Sequence, residues 1–373
     1  MNSAKTKILF ILHVPPPVHG SSVVGQYIKN SLIINSTFNC RYINLSTSTK
    51  MNDIGKKNIK KLFTYATVLL QISVQIIRFK PQLCYLAITT IGLGFYKDSI
   101  AVMLLKLFRV KLIYHLHNKG VRTRQNHFID NLLYRIVFKN TNVILLSKYL
   151  YPDIQKYVTE DSVYYCPNGI PEKQKKIKGE ISKKEKNKYV EILYLSNLIQ
   201  TKGVFVLLDA CKILYDKELR FRCTLVGGEG DISKKQIQNK IRTLNMNGTI
   251  QYVGKKYGVE KQALFAKTDI FAFPTYYPKE CFPLVLLEAM QNKLPVISTF
   301  EGGIAEIVDE WKTGFLIPSK NSEALAKRLE VLITNSNIRK EMGKAAYTKY
   351  INNYTLNTFE NRLNEILVKT STK

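Results

Sequence analysis

Short apolar runs that alternate with helical patterns constrain this chain more than any other feature of its sequence. The run Lys7–Val14, for example, is followed by a helical pattern over Gly20–Ile34. This alternation is typical of β-α-β units around a parallel sheet, so we predict an α/β fold. The remaining predicted strands are Gln82–Ile88, Lys111–His117, Asn142–Ser147, Val190–Ser196, Phe221–Gly227, Ile250–Gly254, Ile270–Pro274 and Leu294–Thr299.

The predicted strands form two series, and 373 residues are enough for two domains. Residues 171–188, between the series, are polar, rich in lysine and almost free of large apolar side chains, which predicts a linker or exposed loop. We therefore predict two doubly wound domains, residues 1–170 and 171–353, that face each other across a cleft. A helical pattern in residues 354–373 predicts a C-terminal helix that crosses back onto the first domain.

The chain is strongly basic, with 56 Lys and Arg against 28 Asp and Glu and a net charge of +28. Residues 1–150 hold only three acids, Asp53, Asp98 and Asp130, against 21 basic residues. Such a surplus favours a polyanionic neighbour: nucleic acid, an anionic membrane face or phosphorylated small molecules. No nucleic-acid-binding module is recognisable, so we predict no nucleic-acid partner.

Two segments, Lys56–Lys80 and Lys97–Lys111, have apolar middles and basic ends. They fit either an interfacial membrane helix or a core-facing helix with a solvated basic rim, and the sequence leaves both interpretations open.

The cysteines and histidines predict neither a disulfide framework nor a metal site. The six cysteines are scattered without a C-x-x-C pair, and none of the five histidines has a zinc spacing. No signal peptide is visible, and no uncharged apolar run approaches the roughly 20 residues that span a bilayer. A reduced, cytoplasmic compartment is the expectation.

The stretch Phe271–Thr299 holds the richest combination of chemical groups. A loop containing Glu280 follows the predicted strand, and Pro283 stands where a helix could begin. We predict that helix over Leu284–Gln291, with Glu288 inside it. The amides near Phe282–Val285 would form an anion site at the helix start. The two carboxylates could hold two parts of one long ligand, although on spacing alone they could equally be exposed surface residues.

This stretch resembles glycosyltransferase family 4, the retaining sugar transferases of the GT-B fold with two Rossmann-like domains. The resemblance rests on a phrase similar to E-x-F-x-x-x-x-x-E-A-M, formed here by Glu280, Phe282, Glu288, Ala289 and Met290. It covers roughly residues 166–318 and is loose before residue 150. Further similar segments are Cys166–Ile170, Ser196–Gly203, Leu225–Asp231 and Glu301–Pro318.

The resemblance implies roles for individual residues of the second, nucleotide-sugar donor domain. Glu288 would bind the ribose hydroxyls, and Glu280 would hold donor-sugar hydroxyls. Lys202 would neutralise the diphosphate as the leaving group gains charge. The segment after Glu280, formed by Cys281, Phe282, Pro283 and Leu284, would complete the donor site with the backbone amides around Phe282 and Pro283.

Two positions of the donor domain depart from the family pattern. Asn197 stands where the family usually has an Arg, so a second cationic diphosphate contact is missing or supplied elsewhere. Pro283 replaces the usual Gly, which leaves one fewer amide for the ligand.

The first domain contributes weaker candidates. Gly20, in the loop Val14–Ser22, would let the backbone approach a ligand. His117 ends a predicted strand and, by the resemblance, would contact the donor sugar. Its rival is His115 on the same strand face, and His13 and His19 flank the first loop.

The resemblance implies a hexosyltransferase that moves a sugar, most simply from a UDP-sugar, to a hydroxyl of a cell-envelope glycan such as capsule, exopolysaccharide or O-antigen. Because the chain has no Asp-x-Asp pair, we predict no metal and no other cofactor. The basic first domain would bind the acceptor, a glycan or lipid-linked glycan, and place the enzyme peripherally on the inner face of the cell membrane. The alternatives are a nucleotide-sugar epimerase of GT-B-like fold and a basic nucleic-acid-binding protein.

Overall fold

A computed structural model describes residues 4–46, 59–173 and 189–372. The predicted linker therefore lies outside the described residues except for its first three positions, and so do Lys56 and Lys57. The chain divides into unit 1, Met1–Gly169 with Leu356–Lys373, and unit 2, Ile170–Thr355. The predicted domain junction at residue 170 and the observed one differ by a single position.

Unit 1 is built on a six-stranded sheet in which every pairing is parallel, with the order β2-β1-β3-β4-β5-β6. The central strands are apolar and buried on both faces, as a parallel sheet covered by helices requires. Its strands are β1 Lys7–Leu12, β2 Asn39–Asn44, β3 Leu83–Leu86, β4 Leu112–Leu116, β5 Asn142–Leu145 and β6 Val163–Tyr165.

The helices of unit 1 lie on both sides of this sheet. Helix α4 contacts both α3 and α6, and the C-terminal helix of the chain packs on α2. The N-terminal helices are α1 Gly20–Asn30, α2 Leu32–Thr37, α3 Ile59–Phe79, α4 Gly92–Leu107, α5 Val121–Arg124 and α6 Phe128–Phe138.

The prediction of one helix over Gly20–Ile34 is wrong, because the structure divides it at Ser31. Ser31 has an extended backbone, with φ −63° and ψ 120°, and its Oγ accepts a hydrogen bond from the Ile34 amide at 3.3 Å. Ser31 thus ends α1 and caps α2, as serine does well at a helix N-terminus.

Unit 2 has a second six-stranded parallel sheet, with the order β12-β11-β10-β7-β8-β9. Strands β7 to β9 follow one another in one direction, whereas β10 pairs with the other side of β7. The order therefore reverses between β7 and β10, where α/β sheets usually bind ligands. The strands are β7 Val190–Leu195, β8 Phe221–Val226, β9 Ile250–Tyr252, β10 Ile270–Phe273, β11 Val296–Thr299 and β12 Gly314–Ile317.

The helices of unit 2 cover the sheet, and the final helix of the chain returns to unit 1. The helix predicted over Leu284–Gln291 is observed with the same bounds, and Pro283 is its N-cap, with φ −70° and ψ 116°. The helices are α7 Val204–Asp216, α8 Lys234–Thr243, α9 Gly258–Lys267, α10 Leu284–Gln291, α11 Ile304–Ile307, α12 Ser322–Thr334, α13 Ser336–Asn353 and, in unit 1, α14 Leu356–Thr372.

Within the described residues, no helix is both long and apolar enough to cross a bilayer.

Candidate functional site

The switch point of the unit 2 sheet places Lys202 beside the end of β10. Lys202 is the last residue of a 3-10 turn, Gln200–Lys202, that follows β7. Gly203 comes next with φ +84°, and a Cβ atom added there would lie 2.0 Å from the Pro274 carbonyl oxygen. Only glycine permits this backbone conformation together with so close an approach. The turn is thereby fixed against the loop that carries Glu280.

Lys202 and Glu280 form an ion pair with 2.5 Å between Nζ and Oε2. The two side chains are only 16% and 10% exposed, so each charge has its partner where water is scarce. The Lys202 ammonium also lies 4.4 Å from the ring centroid of Tyr277. Burial, and then the charge of Glu280, raise the pKa of the Tyr277 hydroxyl. The two residues that the sequence assigned to different parts of a donor therefore contact each other.

The Glu280 loop is held in place by the Gly-Gly pair of the segment Glu301–Pro318. The Gly303 amide donates to the Cys281 carbonyl at 2.6 Å. Gly302 has φ +59°, and a Cβ atom on it would lie 2.2 Å from the Glu280 carbonyl oxygen. This glycine is therefore required to position a candidate site residue.

The start of α10 lies directly beyond this loop. Cys281, Phe282 and Pro283 are buried, whereas Leu284 and Val285 are half-buried. The N-cap Pro283 provides no side-chain hydrogen bond to the first turn. Amide groups in the first turn of a helix carry partial positive charge and suit an anionic ligand, but Pro283 itself has no N–H.

Glu288, within α10, is paired with a lysine of the neighbouring helix. Its Oε1 atom lies 2.5 Å from Nζ of Lys261 in α9. Both side chains are about a quarter exposed, 23% for Glu288 and 27% for Lys261. The carboxylate assigned to ribose binding is thus oriented by Lys261, which the sequence analysis did not identify.

Asn197 lies among the loops that follow β7, β8 and β9. Its Oδ1 atom accepts a hydrogen bond of 3.4 Å from the Gly228 amide. The side chain of Lys255 passes over Gly228, because a Cβ atom there would lie 1.9 Å from the Lys255 Cε atom and 3.0 Å from its Nζ atom. Lys255 is solvent-exposed, and within the described residues no ion pair holds its ammonium group. The ammonium group of Lys255 therefore lies next to Asn197, the position at which the family usually has an arginine.

Two segments of the resemblance are bonded to each other after these strands. The Gln200 amide donates to Asp231 Oδ1 at 2.7 Å, and the Ile232 amide donates to the Leu198 carbonyl at 3.0 Å. The motifs Ser196–Gly203 and Leu225–Asp231 thus form one structural unit at the end of the sheet.

In unit 1, the two candidate histidines His115 and His117 have different surroundings. His115 is fully buried, and its Nδ1 atom shares a hydrogen bond of 2.6 Å with the Tyr85 hydroxyl. His117 follows the end of β4, is half-buried and contacts His115 with 4.2 Å between ring centroids. Burial, and then the nearby His13 and His19, lower the pKa of His117 to about 3. His117 is therefore a neutral imidazole, and it is better placed than His115 to meet a ligand.

His13 and His19 lie close to each other around the first loop, with 5.9 Å between ring centroids. Burial, and then Lys97 and His19, lower the pKa of His13 to about 3. His19 is the N-cap of α1, where its Nδ1 atom accepts from the Ser22 amide at 3.3 Å.

Gly20 begins α1, and a Cβ atom on it would meet nothing within 4 Å. The fold itself instead requires Gly25, where a Cβ atom would lie 1.9 Å from the His13 carbonyl oxygen. The predicted approach of Gly20 to a ligand stays a prediction, and the open space beside it leaves room for one.

Among the described residues, no three His, Cys, Asp or Glu side chains cluster as metal ligands would. The predicted independence from metals is a matter for experiment.

The structure thus brings Lys202 and Glu280 into direct contact, and it places Glu288 and Asn197 on neighbouring elements of unit 2. Gly20 and His117 belong to unit 1. Lys255 and Lys261 were missed, although Lys255 directly follows a predicted strand and that position was a usable signal.

Comparison with known proteins supports the sequence resemblance. The family model of glycosyl transferases group 1 matches residues 174–349. AmsK of Erwinia amylovora, an amylovoran biosynthesis glycosyltransferase, is 31% identical over 141 residues, 37% of this chain and 34% of that protein. WcaL of Escherichia coli (strain K12), a glycosyltransferase assigned to colanic acid biosynthesis, is 30% identical over 38% of this chain and 35% of its own length. The chain thus matches about a third of the length of these curated relatives.

Solved structures extend the likeness in fold to the whole chain. A glycosyltransferase from Rickettsia africae superposes with a TM-score of 0.72 at 20% identity, over 98% of both chains. HepE of Anabaena in complex with UDP gives a TM-score of 0.72 at 16% identity, over 98% of this chain and 100% of that one. The predicted GT-B fold and the resemblance to sugar transferases are confirmed, while the assignment to family 4 stays a prediction. The chain has the GT-B fold, and its residues 174–349 match the family of glycosyl transferases group 1.

Proposed function

We propose that this protein is a retaining, metal-independent glycosyltransferase that takes a hexose from a UDP-sugar and attaches it to a hydroxyl of a cell-envelope glycan. The observation that carries the proposal is the buried Lys202–Glu280 pair at the switch point of the unit 2 sheet. A paired cation and carboxylate beside a helix start suit a ligand with an anionic diphosphate at one end and sugar hydroxyls at the other.

In the proposed reaction, the bond between the sugar C1 and the diphosphate oxygen breaks while the acceptor oxygen bonds to C1 from the same face. The acceptor proton passes to the departing diphosphate oxygen, so that no protein base is required. Lys202 stabilises the charge that develops on the diphosphate, which is the electrostatic contribution that lowers the barrier. When the donor enters, its phosphate competes with Glu280 for the ammonium, which leaves the carboxylate to accept sugar hydroxyls.

Lys255 is the second cation of this site in our proposal. It lies beside Gly228 and Asn197, beyond the adjacent strands β8 and β9, and it is exposed to an incoming ligand. It would supply the positive charge that an arginine at position 197 would otherwise provide. Glu288, oriented by Lys261, binds the ribose hydroxyls. The role proposed for His117, a neutral imidazole at physiological pH, is the one that the family resemblance implies, contact with the donor sugar.

The relatives support the substrate class. AmsK and WcaL are named for polysaccharide biosynthesis, and HepE was solved with UDP. By extension we propose a capsule, exopolysaccharide or O-antigen glycan, carried on a membrane lipid, as acceptor. The enzyme would work peripherally at the cytoplasmic face of the membrane.

The first test is incubation of the purified chain with UDP-glucose, UDP-galactose and UDP-N-acetylglucosamine, without acceptor. We expect slow release of UDP from one of them, with the α-anomer of the free sugar appearing first in proton NMR. A sugar that changes configuration while it stays attached to UDP would identify an epimerase instead. Loss of turnover with EDTA that magnesium or manganese restores would contradict the metal-independent mechanism.

The role of Glu288 has a matched control in its partner. Glu288→Gln should weaken UDP binding by about 1.5–3 kcal/mol, because a charged hydrogen-bond acceptor of the ribose is lost. Lys261→Met removes the same ion pair but leaves the carboxylate, so it should weaken binding much less. Equal losses in titration calorimetry would show that the pair serves the structure and that Glu288 does not bind the nucleotide.

A further inference from the structure

Unit 1 exposes a broad apolar surface on three neighbouring helices, here named the α3/α4/α6 face. Strands β2, β3, β4 and β5 are joined in sequence by α3, α4 and α6, and each connection advances in the same direction across the sheet. Because parallel crossovers are right-handed, all three helices cover the same side of the sheet. The contacts of α4 with α3 and with α6 agree with this placement.

The outer sides of α3 and α4 carry apolar residues at every seventh position. On α3 these are Phe63, Leu70 and Ile77, and all three are exposed to solvent. On α4 the corresponding series is Leu93, Ile100 and Leu107, with Leu107 77% exposed. Residues seven apart lie on one side of a helix, so each helix presents a continuous apolar stripe away from the core.

Helix α6 adds a third stripe. Phe128, Leu132 and Ile136 are four residues apart, hence on one side of the helix, and Phe128 is 82% exposed. The ammonium of Lys106 joins α4 to α6 by donating to the carbonyls of Ile136 and Lys139 at 2.8 and 2.6 Å. Helix α6 was not among the two segments with apolar middles and basic ends that were predicted from sequence.

The charge on this face has one sign. Residues 59–139 contain only two acids, Asp98 and Asp130, and both are buried. Asp98 accepts from the Thr89 amide at 2.9 Å, and Asp130 is paired with Arg124 at 2.7 Å. Both carboxylates thus have their partners inside unit 1.

The basic residues at the ends of the three stripes, in contrast, are exposed. They are Arg78, Arg109, Arg135 and Lys139.

We propose that the α3/α4/α6 face binds directly to an anionic lipid bilayer, with its apolar stripes in the headgroup boundary and its basic residues at the lipid phosphates. Apolar side chains between cations are what an interfacial site requires. A second copy of this chain fits poorly, because a symmetric dimer would bring two basic faces together. The inference rests on the peripheral placement at the membrane that the proposed function includes, and it names the face of unit 1 that makes the contact.

The test is flotation of the full chain with vesicles of phosphatidylcholine and phosphatidylglycerol (7:3) at 150 mM NaCl, beside vesicles of phosphatidylcholine alone. The vesicles hold no glycan, so the result does not depend on catalysis. We expect the chain to float with the anionic vesicles and to bind the neutral ones far more weakly. Arg109→Gln and Arg135→Gln should each weaken anionic binding about fivefold.

Phe128→Glu and Leu32→Glu form a matched pair. Leu32 is 84% exposed and lies on α2, which belongs to the β1–β2 connection and so covers the opposite side of the sheet. Phe128→Glu should lower binding tenfold or more, whereas Leu32→Glu should change it less than twofold. Circular dichroism melting of both variants verifies that the fold is kept, as expected for exposed positions.

A Phe128→Trp variant locates the contact. Its emission should be quenched by brominated phosphatidylglycerol beyond the quenching of the native chain, whose single tryptophan is Trp311 in unit 2. Equal binding by the Phe128→Glu and Leu32→Glu variants would overturn the proposal. A dimer in light scattering that Phe128→Glu dissociates, with no vesicle binding, would also overturn it and identify a second copy as the partner.

Discussion

Removing the ammonium of Lys202 should destabilise unit 2 more than any exposed lysine substitution. The Lys202→Met variant would leave Glu280, only 10% exposed, as a buried carboxylate without its partner at 2.5 Å. Breaking a buried pair on one side costs about 3–5 kcal/mol, and the remaining exposure of Glu280 favours the lower end, about 3 kcal/mol. Unit 2 contains nearly 190 residues, so its Tm should fall by about 6–12 °C.

The reciprocal change should cost less. In Glu280→Gln the amide oxygen can still accept from Lys202, whose ammonium keeps its contact with the Tyr277 ring. We expect a loss of about 1–2 kcal/mol. Combining both substitutions removes both charges together, so the double variant should be about 2 kcal/mol more stable than the sum of the single effects predicts.

The chain contains a natural reporter for this experiment. Its single tryptophan, Trp311, lies in unit 2 and packs edge-on against Phe315, so urea unfolding followed by its fluorescence reports on that unit. Lys256→Met is the control, because Lys256 forms an exposed i,i+4 pair with Glu260 and should change stability by less than about 0.5 kcal/mol. Single-variant effects that add to within 0.5 kcal/mol would refute the coupling and the buried pair as described.

Three further predictions follow from the geometry. Gly302→Ala should destabilise unit 2 by about 3 kcal/mol or more in urea unfolding, because φ is +59° and the new Cβ atom meets the Glu280 carbonyl. The control Gly248→Ala, whose Cβ atom would lie in open space, should be nearly neutral. Lys255→Gln should weaken UDP binding five- to fiftyfold in calorimetry and make the binding less sensitive to salt. The control Lys256→Gln should change the affinity less than twofold. Equal effects of the two substitutions would contradict the role of Lys255. Burial lowers the pKa values of His13 and His117 to about 3. Between pH 6.5 and 3 these histidines are therefore protonated in the unfolded chain but not in the folded one. The free energy of unfolding should fall progressively as the pH is lowered from 6.5 towards 3. Each contributes a slope of about 1.4 kcal/mol per pH unit, and His117→Gln should reduce the slope seen by circular dichroism. An unchanged slope would show that His117 does not stay neutral in the folded chain.

The buried strands were predictable from sequence, whereas three of the four edge strands, β2, β6 and β12, were not. Apolar runs such as Ile270–Pro274 occur at observed strands because a parallel sheet buries both faces. Strand β2, Asn39–Asn44, was missed because it is an edge strand with alternating exposed polar residues, which resembles a loop in sequence. Strands β6 and β12 were missed as well, and both are short edge strands, of three and four residues.

The candidate site was predictable as a set of residues but not as a set of contacts. Glu280 and Glu288 were identifiable from their sequence motif. The partner of Glu280 is Lys202, in the turn after β7, and the partner of Glu288 is Lys261, in α9. Lys202 and Glu280 are 78 positions apart, and only the order of β7 and β10 in the sheet brings them together. Long-range pairing of this kind follows from topology, which local sequence patterns do not specify.

The placement of the last helix in unit 1 sets the order in which the chain can finish folding. Phe359, Leu363 and Leu367 of α14 are fully buried, and the Cys166 thiol lies 4.0 Å from the Phe359 carbonyl oxygen across 193 positions of sequence. A ribosome adding about 5–20 residues per second needs roughly 10–40 s to make that intervening stretch. The unit that is synthesised first therefore stays incomplete while all of unit 2 emerges, and its core closes only after α14 has been made.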